Sequence, residues 1–91
     1  MSDFSTETLK EVLEYKDGNL YWKRNYSLIK KGDKAGNLRP DGYIQVRINN
    51  KGYLLHRIIF FIHHGRFPTE IDHINWLKTD NRIENLREVT G

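Results

Sequence analysis

Glu70-Ile71-Asp72-His73-Ile74-Asn75, followed by Asn81-Arg82-Ile83-Glu84-Asn85-Leu86-Arg87, is the stretch that decides how this chain is read. Glu70 to Ile74 has the make-up of a short strand, Asn75 to Asn85 that of a polar loop, and Leu86 to Thr90 that of a second strand. A carboxylate beside a histidine, with an asparagine further along, suits phosphodiester hydrolysis around one divalent ion. Near pH 7 a histidine takes a proton from water. A cation held by an oxygen ligand such as Asp72 neutralises the phosphate and the departing 3′-oxygen. Neighbouring residues of a regular strand point to opposite faces. The backbone is therefore expected to bend at Asp72-His73 so that both serve one phosphate. The Asn85 carboxamide is suited to bonding backbone groups of the loop between the strands.

Working back from that stretch, His56 to His64 reads as a helix. Ile58, Ile59, Phe61 and Ile62 form its apolar stripe, and Gly65 is its stop. Before it, Gly42 to Asn49 alternates, with Tyr43, Gln45 and Arg47 on one face and Ile44, Val46 and Ile48 on the other. Asn49-Asn50-Lys51-Gly52 supplies turn chemistry, and Tyr53-Leu54-Leu55 returns as the paired strand. Residues 25–41 read as a basic polar loop, and Leu20-Tyr21-Trp22-Lys23 as a short aromatic strand. At the N-terminus, Ser5 or Thr6 caps a helix with Leu9, Val12 and Leu13 on one face, and Asp17-Gly18-Asn19 breaks it. Trp22 is expected to pack under the sheet. Trp76 sits in the polar loop, as a partner contact or as a cover for the core.

Ninety-one residues allow one domain. The chain reads as a single domain, 1–91, with an N-terminal helix and basic sheet lobe over 1–52 and a helix plus hairpin over 53–91. The fold class is α+β, a short antiparallel sheet with packed helices. The absence of cysteine excludes disulfides and thiolate metal sites. No apolar run approaches the roughly 20 residues of a membrane span, and Met1-Ser2-Asp3-Phe4 lacks the features of a signal peptide. A cytoplasmic protein with no membrane partner is expected, and the sequon Asn25-Tyr26-Ser27 is read as chance. Net charge is +3, but Lys16 to Lys51 alone carries nine Lys or Arg against three Asp. That third is suited to a phosphate backbone, with Lys23, Arg24, Lys30, Lys31 and Arg47 as contacts, or is simply a solvated basic surface. His63 and His64 lie about 100° apart on a helix and do not readily share a metal. His56 is read as a residue packing or bonding locally at the helix start.

The ordered set Ile71-Asp72-His73-Ile74-Asn75, Thr79-Asp80-Asn81-Arg82 and Asn85-Leu86-Arg87-Glu88-Val89-Thr90 resembles the HNH (His-Me finger, ββα-metal) endonucleases of phages and homing introns. Asp41-Gly42-Tyr43, Arg47, Tyr53 and His56-Arg57 fit the segment that precedes the motif in such proteins. The resemblance spans roughly residues 9–90. It implies a metal-dependent endonuclease acting on double-stranded DNA, with one Mg²⁺ or Mn²⁺. His73 is then the general base, Asp72 the metal ligand and Asn85 the residue that holds the loop and orients the histidine. Asn81 and Arg82 become loop or phosphate contacts and, with Arg57 and Arg87, candidate nucleic-acid-binding residues; the three arginines also have a reading as salt-bridge partners of Glu84 and Glu88. Family members continue past the position of Thr90 into a helix bearing a second metal ligand, whereas this sequence stops at Gly91. The enzyme reading is accordingly left open. Its alternative is a catalytically inactive HNH-like phage protein that binds DNA or inhibits a host protein.

Overall fold

A computed structural model describes residues 6–25, 28–48 and 51–89, with side chains from Leu9 onward. Helix α1 runs over Thr6–Val12 and is followed at once by strand β1, Leu13–Lys16, and strand β2, Asn19–Trp22. Leu9 and Leu13 are buried as the helical spacing predicts, but Leu13 already belongs to the strand. Asp17-Gly18 closes a two-residue hairpin with both residues at positive φ, 49° and 86°, the backbone of the turn that Asp-Gly favours. The expected helix is thus shorter than its periodicity suggests, and the expected helix breaker is a hairpin turn. Ser5, proposed as a cap, lies outside the described residues.

The second sheet has the order β3-β4-β5, with β3 at Asn37–Leu38, β4 at Ile44–Ile48 and β5 at Lys51–Leu54. Its hairpin keeps the expected alternation. Val46 is buried, with Ile44 and Ile48 packed against the core, while Arg47 on the other face is exposed. Asn49 and Asn50, the turn residues, lie outside the described residues. β3 adds a strand to what the sequence suggested was loop.

Helix α2, Leu55–His64, carries the core. Leu55, Ile58, Ile59, Phe61 and Ile62 are buried and join Leu9, Leu13, Leu20, Trp22, Val46 and Leu86 in one hydrophobic cluster. Gly65 ends the helix in the left-handed region at φ 79°, its N–H bonding the Phe61 carbonyl at 2.8 Å, as a glycine C-cap does. Strands β6, Glu70–His73, and β7, Leu86–Val89, then pair antiparallel, with a single 3-10 turn at Ile83–Asn85 between them. The architecture is α+β with short antiparallel sheets. Among the described residues no helix is long and apolar enough to cross a membrane.

The first hairpin braces the loop that precedes β7. Tyr15 Oη accepts a hydrogen bond from the Ile83 backbone N–H at 2.9 Å. A Cβ placed on Gly18 would stand 2.6 Å from the Arg82 backbone nitrogen and 3.0 Å from the Asn81 carbonyl carbon. Only a glycine permits that approach. Gly18→Ala is expected to destabilise the fold by about 2–4 kcal/mol, from left-handed backbone strain plus the clash. Thermal unfolding measures this, and an unchanged melting temperature would refute the close contact.

Candidate active site

Strand β6 ends at His73, where the Trp76 N–H bonds the His73 carbonyl at 3.0 Å and turns the chain. The pairing runs unbroken through the two residues where a bend was expected, Asp72 opposite Arg87 and His73 opposite Leu86. Ile71, Asp72 and His73, three successive residues, all border one shallow pocket of about 320 Å³, with Tyr43, Trp76 and Lys78 completing the wall. Asp72 and His73 thus open onto the same space.

His73 is 6% exposed and its Nε2 lies 2.7 Å from Asn81 Oδ1. A carboxamide oxygen only accepts, so the hydrogen is on Nε2 and the lone pair of the neutral ring is on Nδ1. Asn81 is itself 2% exposed. Expected as a loop or phosphate contact, it lies buried in the loop, where it fixes the ring and tautomer of the histidine. Two further rings pack here. His56 lies 4.8 Å from His73 between ring centroids, and Tyr43 lies 5.3 Å from His56 in a stacked arrangement. Lys78 Nζ stands 4.6 Å above the Tyr43 ring and donates to the Asp41 carbonyl at 2.9 Å.

His56, 4% exposed, is held down to a pKa of about 4 by burial first, then by the facing His73 and by Arg57. Tyr43 is the other titratable ring packed against it. The unfolded chain, with an ordinary histidine value near 6.5, takes up this proton first as pH falls. Stability is therefore full above about pH 6.5 and is lost as pH falls from there toward 4. The expected loss between pH 7.5 and pH 5 is about 2 kcal/mol. Urea unfolding at the two pH values reads it, with His56→Gln as the non-titrating control. A His56→Gln slope as steep as that of the parent would contradict the assignment.

Asn85 acts on the loop. Its Oδ1 accepts from the Asn75 N–H at 3.0 Å, and its Nδ2 donates to the Asp80 carbonyl and to Asn75 Oδ1, each at 2.8 Å. Asn75 passes the constraint on, donating from Nδ2 to Asp80 Oδ2 at 2.6 Å and accepting from the Leu77 N–H at 3.0 Å. The two tasks expected of Asn85 are therefore divided between residues: Asn85 bonds the loop, and Asn81 bonds the ring. The signal for Asn81 was its place in Asp80-Asn81-Arg82, but burial of a loop asparagine leaves no trace in periodicity.

The arginines have local partners. Arg87 Nη2 is 2.6 Å from Asp72 Oδ2, directly across the β6–β7 register. Arg82 Nε is 2.8 Å from Asp80 Oδ1, with Glu84 further off at 3.7 Å. This pair holds the Asp80 carboxyl well below the usual carboxylate range, and Asn75 adds to the effect. Arg57 donates to the Pro68 carbonyl at 2.9 Å. Glu88 pairs with Arg66, at 2.8 Å between Oε2 and Nη1, and its pKa falls to about 2, chiefly through that bond and also through the Thr69 N–H. Lys23 Nζ donates to the Lys10 carbonyl at 2.8 Å. Arg24, Lys30, Lys31 and Arg47 are exposed.

Among the described residues no three His, Cys, Asp or Glu side chains gather as a metal cage. The donor on offer is the partly exposed Asp72 carboxylate. One hard oxygen donor fits an ion that keeps several waters and leans on phosphate oxygens, as Mg²⁺ does. Arg87 occupies part of that carboxylate and would have to share it.

Residues 53–91 match the family model of the HNH endonucleases. That segment covers helix α2, the Asp72-His73 strand, the Asn81–Asn85 loop and β7. Nucleases of this family act on nucleic acid and generally work with a divalent metal ion. No curated protein and no solved structure matches the chain.

Proposed function

We propose that the protein is a metal-dependent HNH-type DNA endonuclease that hydrolyses phosphodiester bonds at the pocket bordered by Asp72 and His73. The observation that carries this reading is the 2.7 Å bond from His73 Nε2 to Asn81 Oδ1, which leaves Nδ1 as the basic atom. His73 Nδ1 takes a proton from a water as its oxygen attacks phosphorus. The bond from phosphorus to the 3′-oxygen breaks, and that oxygen leaves with a proton from solvent. Asp72 would hold one Mg²⁺ or Mn²⁺, which supplies neutralisation of the phosphate and the leaving oxygen. Asn85 keeps the loop in shape, and Asn81 keeps the imidazole in one tautomer. Double-stranded DNA lies against Lys78 and the exposed basic residues Arg24, Lys30, Lys31 and Arg47, with Lys23 beside them in sequence.

The experiment is nicking of supercoiled plasmid with Mg²⁺ or Mn²⁺, with a chelator control and His73→Ala in parallel. A second reading has its own support. The Arg87–Asp72 pair at 2.6 Å closes the carboxylate that an ion needs, as suits an inactive HNH-like protein that binds DNA or a host protein. Tight DNA binding without nicking at high protein concentration would favour it.

A further inference from the structure

Trp76 is 90% exposed, yet it stands on the wall of the pocket that holds Asp72 and His73. It therefore does not cover the core. Its φ is +68°, a left-handed conformation that bulky residues rarely adopt unless their surroundings enforce it. The surroundings here do so. The Trp76 N–H is bonded to the His73 carbonyl at 3.0 Å, the Asn75 N–H to Asn85 Oδ1 at 3.0 Å, and the Leu77 N–H to Asn75 Oδ1 at 3.0 Å. The loop thus holds a large flat ring out into solvent on a fixed turn. Ile74 and Leu77, on either side in sequence, are also exposed. Lys78 puts a positive charge on the same pocket.

We infer that Trp76 is a stacking platform for a nucleobase of the DNA strand whose phosphate faces His73. An aromatic face beside a cation matches what a nucleotide presents, a π surface joined to an anion, and stacking of this kind tolerates any base. An apolar side chain that wedges beside a base step also favours a locally opened or bent duplex. The inference rests on the reading of the pocket as a phosphodiester site. It assigns to Trp76 a contact with substrate that Asp72 and His73 do not supply.

The test separates the two. Binding is followed in calcium, without turnover, by anisotropy of a fluorescein-labelled duplex. Contact at Trp76 is followed by tryptophan emission and acrylamide quenching with the unlabelled duplex. Trp22→Phe leaves Trp76 as the only tryptophan, since the chain has two. If that variant fails to fold, fluorotryptophan-labelled parent protein, with Trp76→Phe to assign the resonance, gives the same readout. Bound duplex is expected to quench Trp76 and shield it from acrylamide, whereas inorganic phosphate changes neither. Trp76→Ala is expected to weaken duplex binding about 10-fold, with Trp76→Phe restoring most of it. Duplex binding with Trp76 still open to acrylamide, or unchanged affinity in Trp76→Ala, overturns the stacking role while leaving the phosphodiester reading standing. Shielding that tracks protein concentration without DNA marks a contact between copies and also overturns it. No duplex binding at all sinks both.

Discussion

His73→Ala is expected to lower the plasmid-nicking rate by about 10²–10⁴-fold, the range over which a positioned general base acts. The water then loses the imidazole proposed as its base, while Asp72 and its strand register are untouched. The same change removes ring contacts with His56 and Tyr43, so some stability is lost as well. Melting temperature has to be read beside the rate. A folded His73→Ala protein that nicks as fast as the parent would end the role assigned to this residue.

The second large effect is expected at Asn81. Asn81→Leu keeps the volume but removes the acceptor for His73 Nε2–H, leaving a buried donor without its partner. That should cost about 1–3 kcal/mol of stability. Nicking should fall about 10²-fold or more, because the ring is then free to take the wrong tautomer or turn. Asn81→Asp keeps an oxygen in the same place, and it should retain clearly more activity than Asn81→Leu. Equal loss in the two variants would mean that Asn81 serves only packing. Far-ultraviolet circular dichroism and a nicking time course on the same preparations decide this.

The parts of the fold that follow a period were legible in the sequence. The β4–β5 hairpin follows from alternation of Ile44, Val46 and Ile48 with Gln45 and Arg47, and α2 from its apolar stripe and Gly65. Strand β1 was hidden because Leu9, Val12 and Leu13 sit at helical spacing although the helix ends at Val12. The better signal was Asp17-Gly18, a hairpin pair that reads equally as a helix breaker when the strand before it is unseen. Within the site, Asp72, His73 and Asn85 could be singled out by type and order. The bond from His73 to Asn81 could not, since it depends on how a loop folds back over eight residues. The Asp72–Arg87 pair was within reach only once the register of β6 on β7 was known. His56 was read as a local packing residue, and its neighbour proves to be the ring of His73, brought there by the packing of α2 against the strands.

The segment that matches the HNH family begins at Tyr53, but its loop is not self-supporting. The Ile83 N–H is bonded by Tyr15, and the Asn81–Arg82 backbone rests on Gly18. Both supports come from a hairpin that ends some thirty residues before the matched segment starts. The smallest portable unit of this protein is therefore larger than the matched stretch. Grafting residues 53–91 onto another protein would carry over the Asp72-His73 strand without the hairpin that shapes the loop beneath the histidine, so a working graft has to include residues 13–22 or an equivalent brace.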